Sequence, residues 1–190
     1  MDLNYYENEK NVDQYAKFTP AHDGALLIDT LVEHLPEGSS VLEIGIGPGK
    51  DFKELKKHFK VTGSDFSKLF LKKYREHDSE ADLLHLDART LDTDRKFDAI
   101  FSNKALIHLT SDELRQSFAR QHALLNDNGL IMHSFWNGEG EWEAGDLVLR
   151  YRNENDLGEM LAGSFEILAL KPHAKMADND SIYVLARKIG

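Results

Sequence analysis

The chain has 190 residues, 41% of them hydrophobic and 29% charged, which is ordinary for one folded domain with a sizeable core. It contains no cysteine, which excludes disulfides and thiolate chemistry, and its nine histidines form no H-E-x-x-H pair, so we expect no metal. The formal charge of −10 disfavours a nucleic-acid partner, because surfaces that bind a phosphate backbone are usually positive.

The beginning of the chain is polar and predicted to be helical. MDLNYYENEKN does not resemble a signal peptide, and no apolar run approaches the roughly 20 residues that cross a bilayer, so we expect a cytoplasmic protein without membrane contact. Thr19 and Pro20 are predicted to open a helix that Pro36 and Gly38 close. We expect one domain over residues 1–190, with a helical segment (1–38) ahead of the core (39–190).

Apolar segments alternate with amphipathic ones through the rest of the chain. Ser67 lies near the start of one predicted helix, and Thr110 with Glu113 matches a capping box for another, which Gly129 is expected to stop. The predicted strands are 41–45, 60–65, 82–87, 97–103, 129–136, 165–170 and 181–187.

This alternation predicts an α/β fold, a doubly wound and mostly parallel seven-stranded sheet with helices on both faces. The segment KPHAKMADND, between the last two predicted strands, is too short for a confident crossover helix. The last strand is therefore expected to run antiparallel, as a hairpin partner of the strand before it.

The most informative stretch is VLEIGIGPGK (41–50), where a buried strand gives way to three glycines. Glycine permits positive φ angles and close approach of a ligand, although a tight strand-to-helix turn is the simpler alternative. The spacing G-x-G-x-G differs from the dinucleotide fingerprint G-x-G-x-x-G, and Pro48 removes one amide donor. Glu43, Asp51 and Glu54 add negative charge, so the loop suits a cation better than an anion.

Two further carboxylates follow predicted strands at the same edge of the sheet. Asp65 ends the second strand about 20 residues beyond the loop, where an acidic side chain can accept hydrogen bonds from ribose hydroxyls. Asp87 ends the third strand, with Ala88 beside it. Capping of the next helix or turn is the alternative for either aspartate.

VLEIGIGPGK, followed in order by VTGSDFS, LLHLDA and FDAIFSNKALIHL, resembles the motif series of class I S-adenosylmethionine-dependent methyltransferases, of the type that acts on small molecules. The resemblance covers about Val41 to Trp136 and implies a Rossmann-like fold. It implies S-adenosylmethionine as cofactor and S-adenosylhomocysteine as product. The residues that it implies around the cofactor are Glu43, Gly45, Gly47 and Gly49 at the methionine part, Asp65 at the ribose, Asp87 and Ala88 beside the adenine, Asn103 near the methionine and the methyl group, and Phe66 as a further cofactor-binding residue.

Methyl transfer from a sulfonium needs alignment and exclusion of water, and a general base only when the acceptor retains its proton. His108, five residues past Asn103, is the candidate base, and support of the following loop is its alternative role. His133 lies within a predicted strand and is expected to be structural. Ser102-Asn103-Lys104-Ala105 lacks the prolines of [DNS]-P-P-[YFW], the family's signature for methylating base amines.

The acceptor site is expected between the N-terminal segment and the loops after the later strands. Tyr5, Tyr6, Tyr15 and Phe18 could form a lid over it, or could pack a helix on the sheet, and Trp136 could border it. Arg150 and Arg152 are interpreted as a solvated strand edge rather than as ligands of an acidic acceptor.

Methylation of a small molecule is the leading hypothesis for the function. One alternative is a regulatory module that binds the cofactor or its product without transfer, since no residue is an obligatory catalyst. A second is methylation of protein or RNA. The acceptor atom, the oligomeric state and the pathway do not follow from the sequence.

Overall fold

The computed structural model describes residues 3–18, 24–144, 147–174 and 177–190. A 3-10 helix η1 (Leu3–Glu7) and helices α1 (Glu9–Phe18) and α2 (Ala25–His34) precede the first strand. Thr19 and Pro20, expected to open α2, lie outside the described residues. The remaining elements are β1 (Ser40–Ile44), α3 (Lys50–Leu55), β2 (Lys60–Asp65), α4 (Lys68–His77), β3 (Leu83–His85), β4 (Phe97–Asn103), η2 (Leu106–His108), α5 (Ser111–Leu124), β5 (Leu125–Trp136), β6 (Glu141–Ala144), β7 (Leu147–Arg150), α6 (Glu154–Leu161), β8 (Phe165–His173) and β9 (Ser181–Lys188).

The main sheet has seven strands in the order β3-β2-β1-β4-β5-β9-β8. The first five run parallel, whereas β9 is antiparallel to both β5 and β8, so the predicted antiparallel last strand is confirmed. The strand order reverses between β1 and β4, and the loops after these two strands therefore open beside each other. In open α/β sheets this crevice is where ligands bind.

Helices cover both faces of the sheet, as predicted. On one face Leu31, Phe52 and Leu71, from α2, α3 and α4, pack with the side chains of β1 and β4 that point to them. On the other face α5 and α6 contribute Phe118 and Leu157 to a second buried cluster. The central strands β1 and β4 are covered on both faces and almost wholly buried, which explains why they are mostly apolar.

The predicted helix caps are present. The Ser67 hydroxyl accepts from the Phe70 amide at the start of α4, and Thr110 and Glu113 form the reciprocal capping box of α5. Gly129 does not stop α5 as expected, because the helix ends at Leu124 and Gly129 lies inside the longer strand β5.

A small second sheet, formed by β6 and β7, was not predicted. The two strands pair antiparallel, and we call residues 141–150 the acceptor-side hairpin; its residues 145 and 146 lie outside the described residues. Arg150 and Arg152 were expected to be solvated, and this was wrong. Arg152 is 7% exposed and donates to the carbonyl of Leu109, and the guanidinium of Arg150 donates to the carbonyl of His108.

Candidate active site

The glycine loop after β1 is held in a conformation that only glycine adopts easily. Gly45, Gly47 and Gly49 have φ angles of 75°, 48° and 80°. A Cβ atom at Gly45 would lie 2.5 Å from the Cβ of Ala105, in the neighbouring loop after β4. Gly45 is therefore required for the two loops of the crevice to approach each other.

The loop borders two cavities that share several lining residues. The first, of about 390 Å³, is lined by Glu43, Gly45, Gly47, Asp51 and Asn103. The second, of about 110 Å³, lies toward β2 and β3. Gly49 lines neither cavity. It directly precedes α3, and the Tyr74 ring occupies the space that a side chain at position 49 would need, so packing explains a glycine at this position.

Glu43 is a buried carboxylate that faces the first cavity. It is 2% exposed, and its Oε2 atom has no hydrogen-bond partner among the described residues. Burial raises the pKa of Glu43 well above its usual value, and the nearby carboxylates of Asp51 and Asp65 raise it further. An unpaired buried carboxylate is costly, so this position fits a cationic ligand.

Asp65 is hydrogen-bonded to the glycine loop and borders the second cavity. Its two oxygens accept from the amides of Gly47, at 2.9 Å, and of Ser67, at 2.8 Å. Burial raises the pKa of Asp65 to about 6, although these two amide bonds act in the opposite direction. A carboxylate offers about four acceptor positions, so capacity remains for hydroxyl groups of a ligand.

The second cavity has the residue set that the resemblance implies for an adenosine. Phe66, Asp87 and Ala88 line it together with Asp65 and Phe70. The Asp87 side chain also accepts from the amide and guanidinium of Arg89. Burial alone would raise the pKa of Asp87, but these bonds outweigh it and lower the pKa. Asp87 therefore lines the cavity and also forms the hydrogen bonds of a turn, so it combines the two alternatives that the sequence left open.

Asn103 lines both cavities, but both ends of its side-chain amide are hydrogen-bonded to other residues of the protein. Its Nδ2 donates to Oδ2 of Asp51 at 2.8 Å, and its Oδ1 accepts from the Ser134 hydroxyl at 2.7 Å. The other carboxylate oxygen of Asp51 accepts from the Gly24 amide. Asp51 therefore borders the site and orients Asn103, a role that the sequence did not predict. Its position in the first helical turn after the glycine loop is the sequence feature that could have indicated this role.

His108 lies at the end of η2, between the cavities and the acceptor-side hairpin. Its Nδ1 is 3.1 Å from the carbonyl of Val148, and its Nε2 is 3.2 Å from the Tyr6 hydroxyl. A carbonyl only accepts, so Nδ1 carries the proton and Nε2 is the acceptor. Burial lowers the pKa of His108, while the Val148 bond raises it by less, so the imidazole is neutral near pH 7.

Aromatic rings from the N-terminal segment cover the crevice. The Tyr6 ring lies 5.1 Å from Tyr5, 5.7 Å from Tyr15 and 5.7 Å from His108, between centroids. Tyr5, Tyr6, Tyr15 and Trp136 all line the first cavity, and Leu147 and Leu149 of the acceptor-side hairpin complete it. The side chain of Phe18 lies outside the described residues.

His133 lies in the interior, in a polar chain remote from solvent. Its ring accepts from Ser102 and donates to Gln121, each at 2.8 Å. Burial lowers the pKa of His133 to about 3, so it stays neutral. This geometry agrees with the structural role expected from the sequence.

Comparisons with known proteins bear on the type of domain and on the fold. Residues 41–129 match a family model described as a methyltransferase domain. No curated protein sequence matches the chain.

Solved structures share the fold over most of the chain. A 1,6-didemethyltoxoflavin-N1-methyltransferase from Burkholderia thailandensis, crystallised with that compound and S-adenosylhomocysteine, is 22% identical with a TM-score of 0.80, covering 94% of this chain and 83% of its own. An S-adenosylmethionine-dependent methyltransferase from Clostridium acetobutylicum is 18% identical, with a TM-score of 0.75 and coverages of 95% and 98%. An amino pentose methyltransferase from Micromonospora echinaspora, with S-adenosylmethionine bound, is 17% identical, with a TM-score of 0.76 and coverages of 96% and 97%.

The chain has the Rossmann-like fold of these structures, and its residues 41–129 match a methyltransferase domain. The unpartnered oxygen of Glu43 is the feature of this structure that fits S-adenosylmethionine, the cofactor that the sequence resemblance implies, since that compound carries a sulfonium and an ammonium. None of the helices in the described part of the chain has the length and apolar character that crossing a bilayer requires.

Proposed function

We propose that the protein methylates a small molecule that binds in the first cavity. The observation that carries this proposal is the continuity of that cavity, which joins Glu43 and the glycine loop to Tyr6, His108 and Trp136. Its volume of about 390 Å³ is in the range of cavities that enclose small ligands. The formal charge of −10 also favours a small acceptor over nucleic acid.

Two of the similar structures support an acceptor of this size. The Burkholderia protein was crystallised with 1,6-didemethyltoxoflavin, and the Micromonospora protein is named for an amino pentose. Both acceptors are small molecules. We extend this class of acceptor, but neither compound, to the present chain.

The cofactor supplies, when bound, a methyl group activated by a positively charged sulfur. Glu43 would hold its cationic methionine part, and Gly45 and Gly47 would let the loop backbone come close to it. Asp65 would accept from the ribose hydroxyls, with Phe66, Asp87 and Ala88 around the adenine. Asn103 would act mainly through Asp51, because both ends of its amide are bound by protein groups.

His108 is proposed as the general base. Its Nε2 is an acceptor, borders the cavity and belongs to a neutral imidazole, so it can take a proton from the acceptor. Tyr6, which now donates to Nε2, would have to exchange this bond for one to the acceptor or to the cavity wall. The base would then be free only after the acceptor has entered.

The cavity wall favours a flat and largely apolar acceptor. Tyr5, Tyr6 and Tyr15 face it from the N-terminal segment, with Trp136, Leu147 and Leu149 on the remaining wall. Aromatic walls bind planar rings by stacking and apolar contact. The proposed acceptor is therefore a ring compound with an N–H or O–H group that can lose a proton to His108.

Calorimetry with S-adenosylmethionine and S-adenosylhomocysteine tests the cofactor site. We expect both to bind. If neither compound binds at high micromolar concentration, the proposal is rejected.

Transfer of labelled methyl groups into a cell metabolite extract tests the reaction. We expect the label in small molecules. Binding without any labelled product would favour the regulatory module, and label found only in macromolecules would favour a protein or RNA acceptor.

A further inference from the structure

The acceptor-side hairpin is joined to the end of β5 by backbone hydrogen bonds. The Arg152 amide donates to the carbonyl of Trp136 at 2.9 Å, and the Gly138 amide donates to the carbonyl of Arg152 at 3.1 Å. The Tyr151 amide donates to Gly140 at 3.1 Å. The base of the hairpin is thus fixed to the sheet strand that ends beside the active-site crevice.

Three further hydrogen bonds run from this region to the turn that carries His108. The Val148 carbonyl accepts from Nδ1 of His108 at 3.1 Å, and Nη1 of Arg150 donates to the His108 carbonyl at 2.6 Å. Nη2 of Arg152 donates to the carbonyl of the next residue, Leu109, at 2.9 Å. A helix end leaves carbonyls that need donors, and here two arginines from outside the helix supply them.

Arg150 is well suited to hold the turn. Its Nε donates to the Glu141 carboxylate at 2.8 Å across the hairpin, while Nη1 reaches His108, and its side chain is 14% exposed. The planar guanidinium makes both bonds at once with a fixed geometry, which a lysine ammonium does not reproduce. Arg150 therefore connects strand β6 to the main chain of the proposed base.

We propose that Arg150 is a positioning residue that, together with the Val148 carbonyl, holds the His108 ring with Nδ1 protonated and Nε2 turned to the acceptor. The acceptor-side hairpin then has two roles, as a wall of the acceptor cavity and as the support that selects the tautomer of the base. This inference rests on the proposed function of His108 as base. The orientation of the ring is nevertheless measurable without any acceptor.

Side-chain nitrogen NMR of the labelled protein tests the proposal, with the His108 signals identified by their loss in His108→Asn. In the wild type we expect Nδ1 protonated and Nε2 unprotonated. In Arg150→Met we expect both tautomers in exchange, because the main chain of His108 is no longer held. Arg187→Met, which removes a surface arginine paired with Glu166, is the matched control and should leave the His108 signals unchanged.

Two further measurements separate positioning from a loss of structure. S-adenosylhomocysteine should bind Arg150→Met as it binds the wild type, whereas labelled methyl transfer into the metabolite extract should fall roughly tenfold. An unchanged tautomer and transfer rate in Arg150→Met, or a wild-type His108 protonated at Nε2, would overturn the proposal. Full transfer activity in His108→Asn would instead contradict the proposed base, whatever the tautomer.

Discussion

At the scale of single residues, Glu43 carries the clearest consequence for cofactor binding. We predict that Glu43→Gln weakens binding of S-adenosylmethionine by about 10- to 100-fold, because the variant replaces a charge-assisted bond by a neutral one of the same shape. Calorimetry measures this. Glu54→Gln, on the solvent side of α3 where Glu54 pairs with Lys57, is the control and should bind normally. Equal affinity of wild type and Glu43→Gln would contradict the assignment of the cationic site.

Asp65 makes the stability of the ligand-free protein depend on pH. Its pKa is raised from 3.8 to about 6 by burial, so the native state keeps a proton that the unfolded state releases. This contribution to stability is complete below pH 3.8 and is lost as pH rises to about 6. Asp65→Asn is always neutral, so urea unfolding should show its stability relative to wild type increasing between pH 4.5 and 7.5. A difference independent of pH would contradict the raised pKa.

His108 is the residue on which the proposed chemistry depends. We predict that His108→Asn lowers labelled methyl transfer by about 100-fold, the lower range of general-base contributions, since asparagine keeps a polar group but has no atom that takes the proton. Binding of S-adenosylhomocysteine should change little. His122→Asn, in the last turn of α5 and outside the lining of both cavities, serves as the control. Retained transfer in His108→Asn would limit this residue to a structural role.

The predicted site residues that line the two cavities follow from one rule of sheet geometry. Glu43, Asp65 and Asp87 lie at or near the carboxyl ends of successive parallel strands, and these ends meet at one edge of the sheet. The partners of Asn103 could not be predicted in this way, because Asp51 and Ser134 lie 52 and 31 residues away in the chain. Local sequence patterns predict where a strand ends, but they do not predict which distant side chain will contact the residue at that end.

At the scale of elements, the N-terminal segment is attached to the core through α4. The Ser67 hydroxyl donates to the carbonyl of Tyr6 at 2.6 Å while it caps α4, and the Lys68 amide donates to the carboxylate of Glu7. One side chain therefore supports both the helix start and the tyrosines above the cavities. Nothing in the sequence near Ser67 indicates its bond to Tyr6, since only the cap is a local feature.

We predict that Ser67→Ala lowers the unfolding free energy by about 1–2 kcal/mol and speeds hydrogen exchange in residues 3–18. Thr110→Ala is a matched control, since it also removes a helix cap, and the bonds of the Thr110 cap within the described residues go to Glu113 rather than to the N-terminal segment. It should cost about 1 kcal/mol without changing that exchange. Equal exchange in both variants would show that the Ser67 bond does not hold the segment.

The acceptor-side hairpin shows why an element can be missed. EWEAGDLVLR has no long alternation of apolar and polar residues, and Trp142 is 49% exposed, so its apolar residues do not mark one buried face. The arginines at its end were interpreted as solvated because charged residues usually are. Arg152 is buried and Arg150 is partly buried, and each donates to a carbonyl of the η2 turn. The need of these carbonyls for donors is visible only once the turn is placed.

At the scale of the whole molecule, the seven-stranded fold followed from the alternation of apolar and amphipathic segments, and the antiparallel end from the short polar link before β9. The division into a helical segment (1–38) and a core (39–190), the cytoplasmic location and the absence of a nucleic-acid partner stay predictions. The proposed cofactor site lies between the loops that follow β1, β2, β3 and β4, so a ligand bound there should stabilise the fold as a unit.

We predict that S-adenosylhomocysteine at 100 times its Kd raises the unfolding free energy by about 2.7 kcal/mol, because the ligand binds only the folded state. Urea titrations with and without the compound measure this. Glu43→Gln, at the same concentration, should gain clearly less. Equal stabilisation of both proteins would indicate that the product is held without the Glu43 carboxylate.

The two-stranded sheet beside the crevice also bears on redesign. Leu147 and Leu149 present side chains to the first cavity, whereas Val148, between them, contributes a main-chain carbonyl to His108. The bond to His108 uses the main chain of Val148 and no side chain of the strand. The side chains at positions 147 and 149 can therefore be varied to reshape the cavity wall while the hydrogen bond that supports the imidazole is kept. Libraries of variants at these two positions are expected to change which acceptor compounds fit the first cavity and to leave the second cavity unchanged.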